Sequence, residues 1–110
     1  MAPRSLGEFE QIVLLAIFRL GDNAYGVTVR DELIAQADRE PSFGALYTTI
    51  SRLEEKGLVQ STLGDPTPER GGRAKRFLSL TSEGIEAVAS AQRAYRNLLK
   101  GVSLPGFSHA

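Results

Sequence analysis

Residues 42–81 read SFGALYTTISRLEEKGLVQSTLGDPTPERGGRAKRFLSLT, and this stretch decides the fold. Its first part predicts a helix over residues 43–56, which Ser42 can cap by accepting a hydrogen bond from a free N–H group of the first turn. Gly57 is typical of the left-handed residue that ends a helix. The remainder predicts a β-hairpin over residues 58–80. The stretch therefore indicates one helix followed directly by a hairpin.

The predicted helix has two unlike faces. Phe43, Leu46, Ile50 and Leu53 recur at helical spacing and are expected to face a core. The opposite face carries Gly44, Thr48, Ser51, Arg52 and Glu55, with Ala45, Thr49 and Lys56 on one flank and Tyr47 on the other. This outer surface is small, hydroxylated and lightly charged. Such a surface fits the major groove of DNA, where short side chains let a helix approach base edges and hydroxyls can bond phosphates.

The predicted hairpin carries a basic tip. Its strands are expected over residues 58–63 and 73–80, with Phe77 and Leu80 facing inward, and prolines and glycines keep residues 64–72 irregular. Four cations without an acid lie near the second strand: Arg70, Arg73, Lys75 and Arg76. A basic hairpin after a groove-sized helix is typical of a winged helix. The alternative interpretation is that the cations belong to a solvated loop.

Length and composition limit the kind of protein. With 110 residues, 42% of them hydrophobic and 24% charged, the chain is expected to form one soluble domain with a modest core. It has no cysteine, which removes disulfides, thiolate catalysis and cysteine-bound zinc, and is compatible with a cytoplasmic location. No apolar run approaches the roughly 20 residues of a membrane span, so no membrane partner is expected.

The net charge is zero, but the charges are unevenly distributed. Residues 1–40 hold four Lys/Arg and seven Asp/Glu, residues 41–80 hold six and four, and residues 81–110 hold three and two. The three segments therefore carry −3, +2 and +1. Because exposed charges are screened over about 8 to 10 Å, a local basic cluster can matter more than the total.

Two helices are predicted before the central stretch. The first, from residue 7 or 8 to 20, has a complete apolar face made of Phe9, Ile12, Val13, Ala16, Ile17 and Leu20. Leu14, Leu15 and Phe18 form a second apolar face, which predicts cover by another subunit. The second helix, residues 25–37, has Asp22 or Asn23 as its expected cap. With the helix over 43–56 it forms a helix-turn-helix, in which that third helix reads DNA.

A fourth helix is predicted after the hairpin, capped by Thr81 with Glu83 in its first turn. It carries a heptad seam and, beside it, a seam of mostly small residues: Ile85, Val88, Gln92, Tyr95, Leu99 and Val102 in the first, and Gly84, Ala87, Ala91, Ala94 and Leu98 in the second. The seams predict a homodimer. The alternative is that the helix folds back on its own domain. The predicted dimer interface comprises Leu14, Leu15, Phe18, Ile85, Val88, Ala91, Gln92, Tyr95, Leu98 and Leu99.

Several short motifs match a known family in order and spacing. They are Tyr25-Gly26, Ser42-Phe43-Gly44-Ala45-Leu46-Tyr47, Arg52-Leu53-Glu54-Glu55-Lys56-Gly57-Leu58-Val59, Gly72-Arg73-Ala74-Lys75-Arg76-Phe77 and Leu80-Thr81. Over about residues 6–100 the chain resembles the PadR-like winged-helix transcriptional regulators, in their short form with a single C-terminal helix. The predicted fold is mainly α with a small β-hairpin: a winged helix-turn-helix over residues 1–80, a dimerisation helix over residues 81–102 packed on the same domain, and a loosely ordered tail over residues 103–110.

The resemblance implies a dimeric repressor that binds double-stranded DNA. Such a repressor regulates its own gene or a neighbouring transporter or stress gene. It carries the family's DNA contacts to Ser42, Gly44, Tyr47, Arg73, Lys75 and Arg76. Ala45 and Thr48 stand where threonine and proline are common in the family, so these two positions bear on sequence preference. The predicted DNA-binding set is Ser42, Gly44, Ala45, Tyr47, Thr48, Arg52, Arg70, Arg73, Lys75 and Arg76. Some such dimers bind flat hydrophobic molecules at their interface, which here implies an effector site lined by Tyr95, Phe18 and Leu14, with plain dimer packing as the alternative.

Other classes of function have less support in the sequence. The single histidine, His109, stands near the end of the chain, and no cluster of acids has metal or acid/base spacing, so no enzyme, metal or cofactor is expected. Residues 71–75, GGRAK, lack the glycine-to-lysine spacing of a phosphate-binding loop. A winged helix that binds only other proteins remains the alternative function, favoured by the zero net charge and by Glu54-Glu55 near the reading helix.

Overall fold

The computed structural model describes residues 6–64 and 75–106. Within these ranges the chain forms four α-helices and one two-stranded antiparallel sheet. The elements are α1 (Glu8–Leu20), a 3-10 turn (Gly21–Asn23), α2 (Gly26–Ala37), α3 (Phe43–Glu55), β1 (Val59–Leu63), β2 (Arg76–Leu80) and α4 (Ser82–Leu99). The prediction of a mainly helical winged helix-turn-helix is confirmed.

Local sequence signals set most of the helix ends. Ser42 Oγ accepts a hydrogen bond from Ala45 N at 3.1 Å, and Thr81 Oγ1 accepts one from Gly84 N at 3.0 Å, so both predicted caps are confirmed. Gly57 follows α3 with φ 77°, the left-handed conformation expected of it. The predicted cap of α2 is wrong. Tyr25 is its N-cap residue, and Tyr25 N donates to Thr28 Oγ1 at 3.0 Å, because Asp22 and Asn23 belong to the 3-10 turn.

One core joins the first three helices, the hairpin and the start of α4. Its fully buried large side chains are Leu14, Ile17, Leu33, Leu46, Leu53, Val13 and Val29. Val88 of α4 is buried in the same cluster. Beyond Val88, no residue of α4 is buried, so the C-terminal part of this helix lies outside the core of its own chain.

The hairpin is tied to the helices at its base. Val59 pairs with Leu80 and Leu63 with Arg76. Leu78 N donates to Ala24 O at 2.8 Å, which attaches β2 to the segment before α2. The predicted inward positions need correction: Leu78 is the buried residue of β2, whereas Phe77 and Leu80 are only partly buried. Pairing with the segment at Ala24 fixes the register that turns Leu78 toward the core.

Several predicted boundaries differ from the structure. α2 begins at Gly26 and not at residue 25, and α3 ends at Glu55 and not at residue 56. β1 begins one residue later than predicted, and β2 begins at Arg76 within the described residues. α4 ends at Leu99, so Val102 does not extend its seam. Of the predicted irregular loop over residues 64–72, only Gly64 lies within the described residues. Of the predicted tail over residues 103–110, residues 103–106 do.

Candidate nucleic-acid interface

The outer face of α3 is exposed as the helical spacing predicts. Ser42, Gly44, Ala45, Tyr47, Thr48, Ser51 and Arg52 are all exposed. Thr49 is instead buried, and its Oγ1 donates to Ala45 O at 3.0 Å, so its hydroxyl is engaged within the helix. From residue 43 to residue 53 this helix has no acid. Its surface therefore offers small groups, hydroxyls and one arginine to a partner.

Phe43 departs from its prediction as a core residue. Its side chain is 40% exposed and stacks on Tyr47, with ring centroids 6.0 Å apart and an interplanar angle of 24°. The Arg30 guanidinium lies 5.0 Å from the Phe43 ring centroid, and Arg30 Nε donates to Pro41 O at 2.6 Å. Phe43 opens the helix at the edge of the core, where Arg30 and Tyr47 cover only part of its ring. Arg30 itself is half-buried.

Tyr47 crosses from α3 to the start of α2. A Cβ atom placed on Gly26 would lie 2.2 Å from Tyr47 Oη, closer than any side chain can stand. Only glycine at position 26 leaves room for the tyrosine in this position. Gly26 therefore helps to position a predicted DNA-binding residue.

The loop end of the hairpin strands holds two of the predicted cations. Lys75 Nζ lies 4.6 Å from the centroid of the Tyr25 ring and 3.4 Å from Tyr25 Oη. Arg76 Nη1 donates to Ser61 Oγ at 3.1 Å, and Ser61 Oγ in turn donates to Glu54 Oε2 at 3.1 Å. Arg70 and Arg73 lie outside the described residues. A groove between α3 and the hairpin is lined by Tyr25, Gly26, Tyr47, Ile50, Lys75 and Arg76, so both predicted DNA-contacting elements border one depression.

An ion pair joins the other end of α3 to α1. Lys56 Nζ lies 2.8 Å from Glu10 Oε2, and the Glu10 side chain is only 15% exposed. Burial alone would raise the pKa of Glu10. Hydrogen bonds from Lys56 and Gly7 N, with the charges of Lys56 and Arg52, outweigh burial and lower that pKa below its ordinary 4.5. Glu10 is therefore held as an anion that fixes the end of the reading helix.

The predicted dimer-interface residues fall into three groups by their burial in the single chain. Leu14 and Val88 are buried in the core of a single chain, 0% and 9% exposed, so neither forms an outer face for a second subunit. The prediction failed for Leu14 because α2, α3, β2 and α4 pack around α1 from more than one side. Phe18, Ile85, Tyr95 and Leu98 are exposed, and the remaining members, Leu15, Ala91, Gln92 and Leu99, are partly buried. An effector site cannot be lined by Leu14, because its side chain has no exposed surface.

Metal-ligand clusters and membrane-spanning helices are both absent from the described part of the chain. Residues 6–64 and 75–106 contain no group of three or more His, Cys, Asp or Glu side chains that could hold a metal ion. No helix within the same ranges combines the length and apolar character needed to cross a lipid bilayer.

Comparison with known proteins identifies the family. The family model described as the transcriptional regulator PadR-like family matches residues 14–90, which is more than half of the chain. The chain belongs to the PadR-like family. This family consists of transcriptional regulators and not of enzymes, and its winged helix binds DNA. The protein is accordingly a DNA-binding transcriptional regulator.

Solved structures agree with this assignment. RosR from H. salinarum is 27% identical, with a TM-score of 0.68, and the match covers 91% of this chain and 83% of that one. A PadR family transcription regulator from Clostridium difficile shares the fold at 21% identity and a TM-score of 0.68, over 84% and 92% of the two chains. A PadR-like transcription factor from Bacteroides fragilis does so at 19% identity and a TM-score of 0.69, over 86% and 85%. No curated protein matches the chain in sequence.

The side chains that sequence reasoning missed are Tyr25, Gly26, Arg30 and Phe43. In the sequence interpretation Tyr25-Gly26 is a family motif without an assigned contact, and Phe43 is a motif member expected to face the core. Tyr25 contacts Lys75, Gly26 faces Tyr47, and Arg30 lies over the ring of Phe43, so each pair joins residues of different elements. No local periodicity signals such contacts.

Proposed function

We propose that this PadR-like regulator is a homodimeric repressor that binds an inverted-repeat operator. Each subunit inserts α3 into one major groove and sets its hairpin along the adjacent phosphates or the minor groove. Two-fold symmetry then requires half-sites separated by about one helical turn, roughly 34 Å. A dimer bound over a promoter prevents transcription by occupying the DNA. A cytoplasmic location would give the dimer access to that DNA.

One observation carries the DNA-binding geometry. Tyr47 of α3 and the hairpin cations Lys75 and Arg76 border the same groove, so one duplex can meet both elements at once. Ser42, Gly44, Ala45, Tyr47, Thr48 and Arg52 supply the helix surface. Lys75 and Arg76, continued by Arg70 and Arg73 in the sequence, supply charge for phosphates.

Exposed apolar side chains support the homodimer. Phe18 and Ile85 are 60% and 47% exposed, and Tyr95 and Leu98 are 54% and 79% exposed. A groove beside α4 has a row of small residues, Ala87, Ser90, Ala91 and Ala94, against which a second helix can pack closely, and charged residues such as Glu55 and Glu86 also line it. The described C-terminal part of α4 has no buried residue after Val88, and a partner subunit is the economical cover for it.

A gel-shift titration with DNA from immediately upstream of the protein's own gene tests the proposal. Neutralising about 6 to 8 phosphates predicts a slope of about −5 to −7 for the logarithm of affinity against the logarithm of salt concentration. Changing Arg73, Lys75 and Arg76 together to alanine should weaken binding to every sequence, flatten this slope and leave the dimer intact.

The matched control removes three positive charges from α4 and its C-cap, by changing Arg93, Arg96 and Lys100 to alanine. This control should bind DNA much more tightly than the hairpin variant. Unchanged affinity of the hairpin variant at physiological salt would contradict the assignment of the hairpin. A slope near zero for the wild-type protein would favour the protein-interaction module instead.

A further inference from the structure

Tyr25 joins the hairpin to the start of α2. Its ring contacts Phe77 edge-on, with centroids 5.6 Å apart and an interplanar angle of 77°. The residue after Phe77 is attached to the same segment, because Leu78 N donates to the carbonyl of Ala24, the residue before Tyr25. The backbone of Tyr25 is held by Thr28 Oγ1, which accepts from Tyr25 N and donates to Asn23 O at 2.6 Å. The ring therefore stands on a firmly bonded segment.

Lys75 meets this ring from the hairpin side. Its ammonium nitrogen lies 4.6 Å from the ring centroid, within the distance at which a cation is attracted to an aromatic face. Lys75 Nζ also donates a hydrogen bond to Tyr25 Oη at 3.4 Å. Lys75 as a whole is exposed, so the ammonium retains hydrogens that can bond a partner from solvent.

An unrestrained lysine loses rotamer freedom when it binds a phosphate. Immobilising a side chain with several rotatable bonds costs enough to weaken binding several-fold, so a lysine already held in place binds more tightly. The Tyr25 ring restricts Lys75 before DNA arrives. It holds the ammonium at the edge of the groove that Tyr47 of the reading helix also lines.

We propose that Tyr25 is a positioning residue for DNA binding: it holds the Lys75 ammonium over its ring and presents it to a backbone phosphate beside the groove read by α3. The proposal rests on the DNA-binding function proposed above. It adds a residue outside the set predicted to touch DNA, and assigns it an action through Lys75.

The first test examines the contact in the free protein. The chain has only three lysines, Lys56, Lys75 and Lys100, so reductive methylation with carbon-13 formaldehyde gives few lysine signals. Methyl groups above an aromatic face are shifted upfield by the ring current. We expect the Lys75 signal, identified by its loss in K75R, to lie upfield of Lys100 and to return toward it in Y25L. A Lys75 signal at the position of Lys100 in the wild-type protein overturns the proposal without any tyrosine variant.

The second test examines the role in binding. The probe is a labelled duplex that the wild-type protein selects from a random-sequence library. We expect Y25L to bind this duplex about three- to tenfold more weakly, whereas Y25F, which keeps the ring, should stay close to the wild type. In a K75M background Y25L should have little further effect, and the salt slope of Y25L should fall toward that of K75M. K100M, with the same loss of charge, is the matched control.

The outcomes separate the two proposals. If the wild-type protein selects no duplex, the proposed function fails, while the lysine spectrum still reports on the contact. If K75M weakens binding but Y25L, shown to be folded by thermal unfolding, binds as tightly as the wild type or more tightly, the positioning role is wrong. Equal losses from Y25L in the wild-type and K75M backgrounds would also overturn it, because Tyr25 would then act without Lys75.

Discussion

Two helix-opening glycines lie where another group leaves no room for a side chain. A Cβ atom on Gly26 would meet the hydroxyl end of Tyr47 at 2.2 Å, whereas a Cβ atom on Gly84 would meet the backbone oxygen of Leu58 at 2.1 Å. The end of a tyrosine side chain can rotate away. The Leu58 carbonyl cannot, since it accepts a hydrogen bond from Thr81 N at 3.0 Å and joins the hairpin to α4.

This difference predicts that alanine has different effects at the two positions. G84A should lower the free energy of unfolding by about 1 to 3 kcal/mol, because overpacking against backbone outweighs the higher helix propensity of alanine. G26A should change the free energy of unfolding by less than about 1 kcal/mol but weaken DNA binding, because Tyr47 must move. Urea unfolding and gel shifts of both variants measure the two effects.

G44A provides the stability control, because a Cβ atom there would meet nothing nearer than 3.9 Å. It should not destabilise the protein. Wild-type DNA affinity in G26A would remove the argument that this glycine serves Tyr47. Wild-type stability in G84A would mean that α4 does not approach Leu58 as closely as described.

At the scale of elements, the Glu10–Lys56 ion pair connects α1 with the end of the reading helix. Both atoms that meet, Glu10 Oε2 and Lys56 Nζ, belong to side chains that are mostly buried, with 15% and 32% exposed. Glu10 Oε1 also accepts a hydrogen bond from Gly7 N at 3.0 Å, so the same carboxylate closes the start of α1. A displacement of α1 would therefore also displace the C-terminal end of α3.

The lowered pKa of Glu10 sets the direction of a pH effect. Because the folded state binds the Glu10 proton less readily than the unfolded state, the ion pair stabilises the fold above the unfolded pKa of about 4.5. This stabilisation is lost as the pH falls through the lower, folded pKa. E10Q should therefore be less stable than the wild type by about 1 to 2 kcal/mol at pH 7, with the difference disappearing in acid.

Thermal unfolding of the wild type, E10Q and E8Q across this pH range checks the prediction. Glu8 is the control, since it pairs with Arg39 at 2.7 Å with 67% of its side chain exposed, and such surface pairs contribute about 0 to 1 kcal/mol. If E10Q and the wild type differ by the same amount at neutral and acidic pH, the carboxylate charge does not account for the stabilisation.

At the scale of the whole molecule, α4 is the helix whose C-terminal part is left uncovered by its own chain. Gly84 and Val88 pack it on its own domain, so the alternative that the helix folds back is right for its first two turns. Ile85 and Leu98 remain exposed. An uncovered apolar helix on a domain of this size is expected to associate.

Substitutions on and off this surface should separate dimerisation from folding. I85D with L98D should give folded monomers, because both side chains are exposed in the single chain. L14D should instead unfold the protein, because Leu14 is 0% exposed and an unpaired carboxylate cannot be buried there. Sedimentation measures the oligomeric state, and circular dichroism the folding. An unchanged sedimentation coefficient for I85D/L98D would remove this surface from the dimer interface.

The order of elements followed from the sequence because it depends on local physics. Apolar spacing determined α1 and α3, side-chain oxygens of Ser42 and Thr81 determined two helix starts, and Gly57 determined one helix end. The family motifs then identified a winged helix. Each of these signals acts within one turn or one strand, so neighbouring residues are sufficient to express it.

Only the tertiary structure decided which apolar faces meet and which residues position the site. Periodicity could not distinguish Leu14, enclosed in the core, from Phe18, left in solvent, because both lie on the same predicted face of α1. Likewise, Tyr25 and Lys75 meet across 50 residues of sequence. Such contacts depend on how separate elements pack, and packing is a property of the assembled chain that no local pattern encodes.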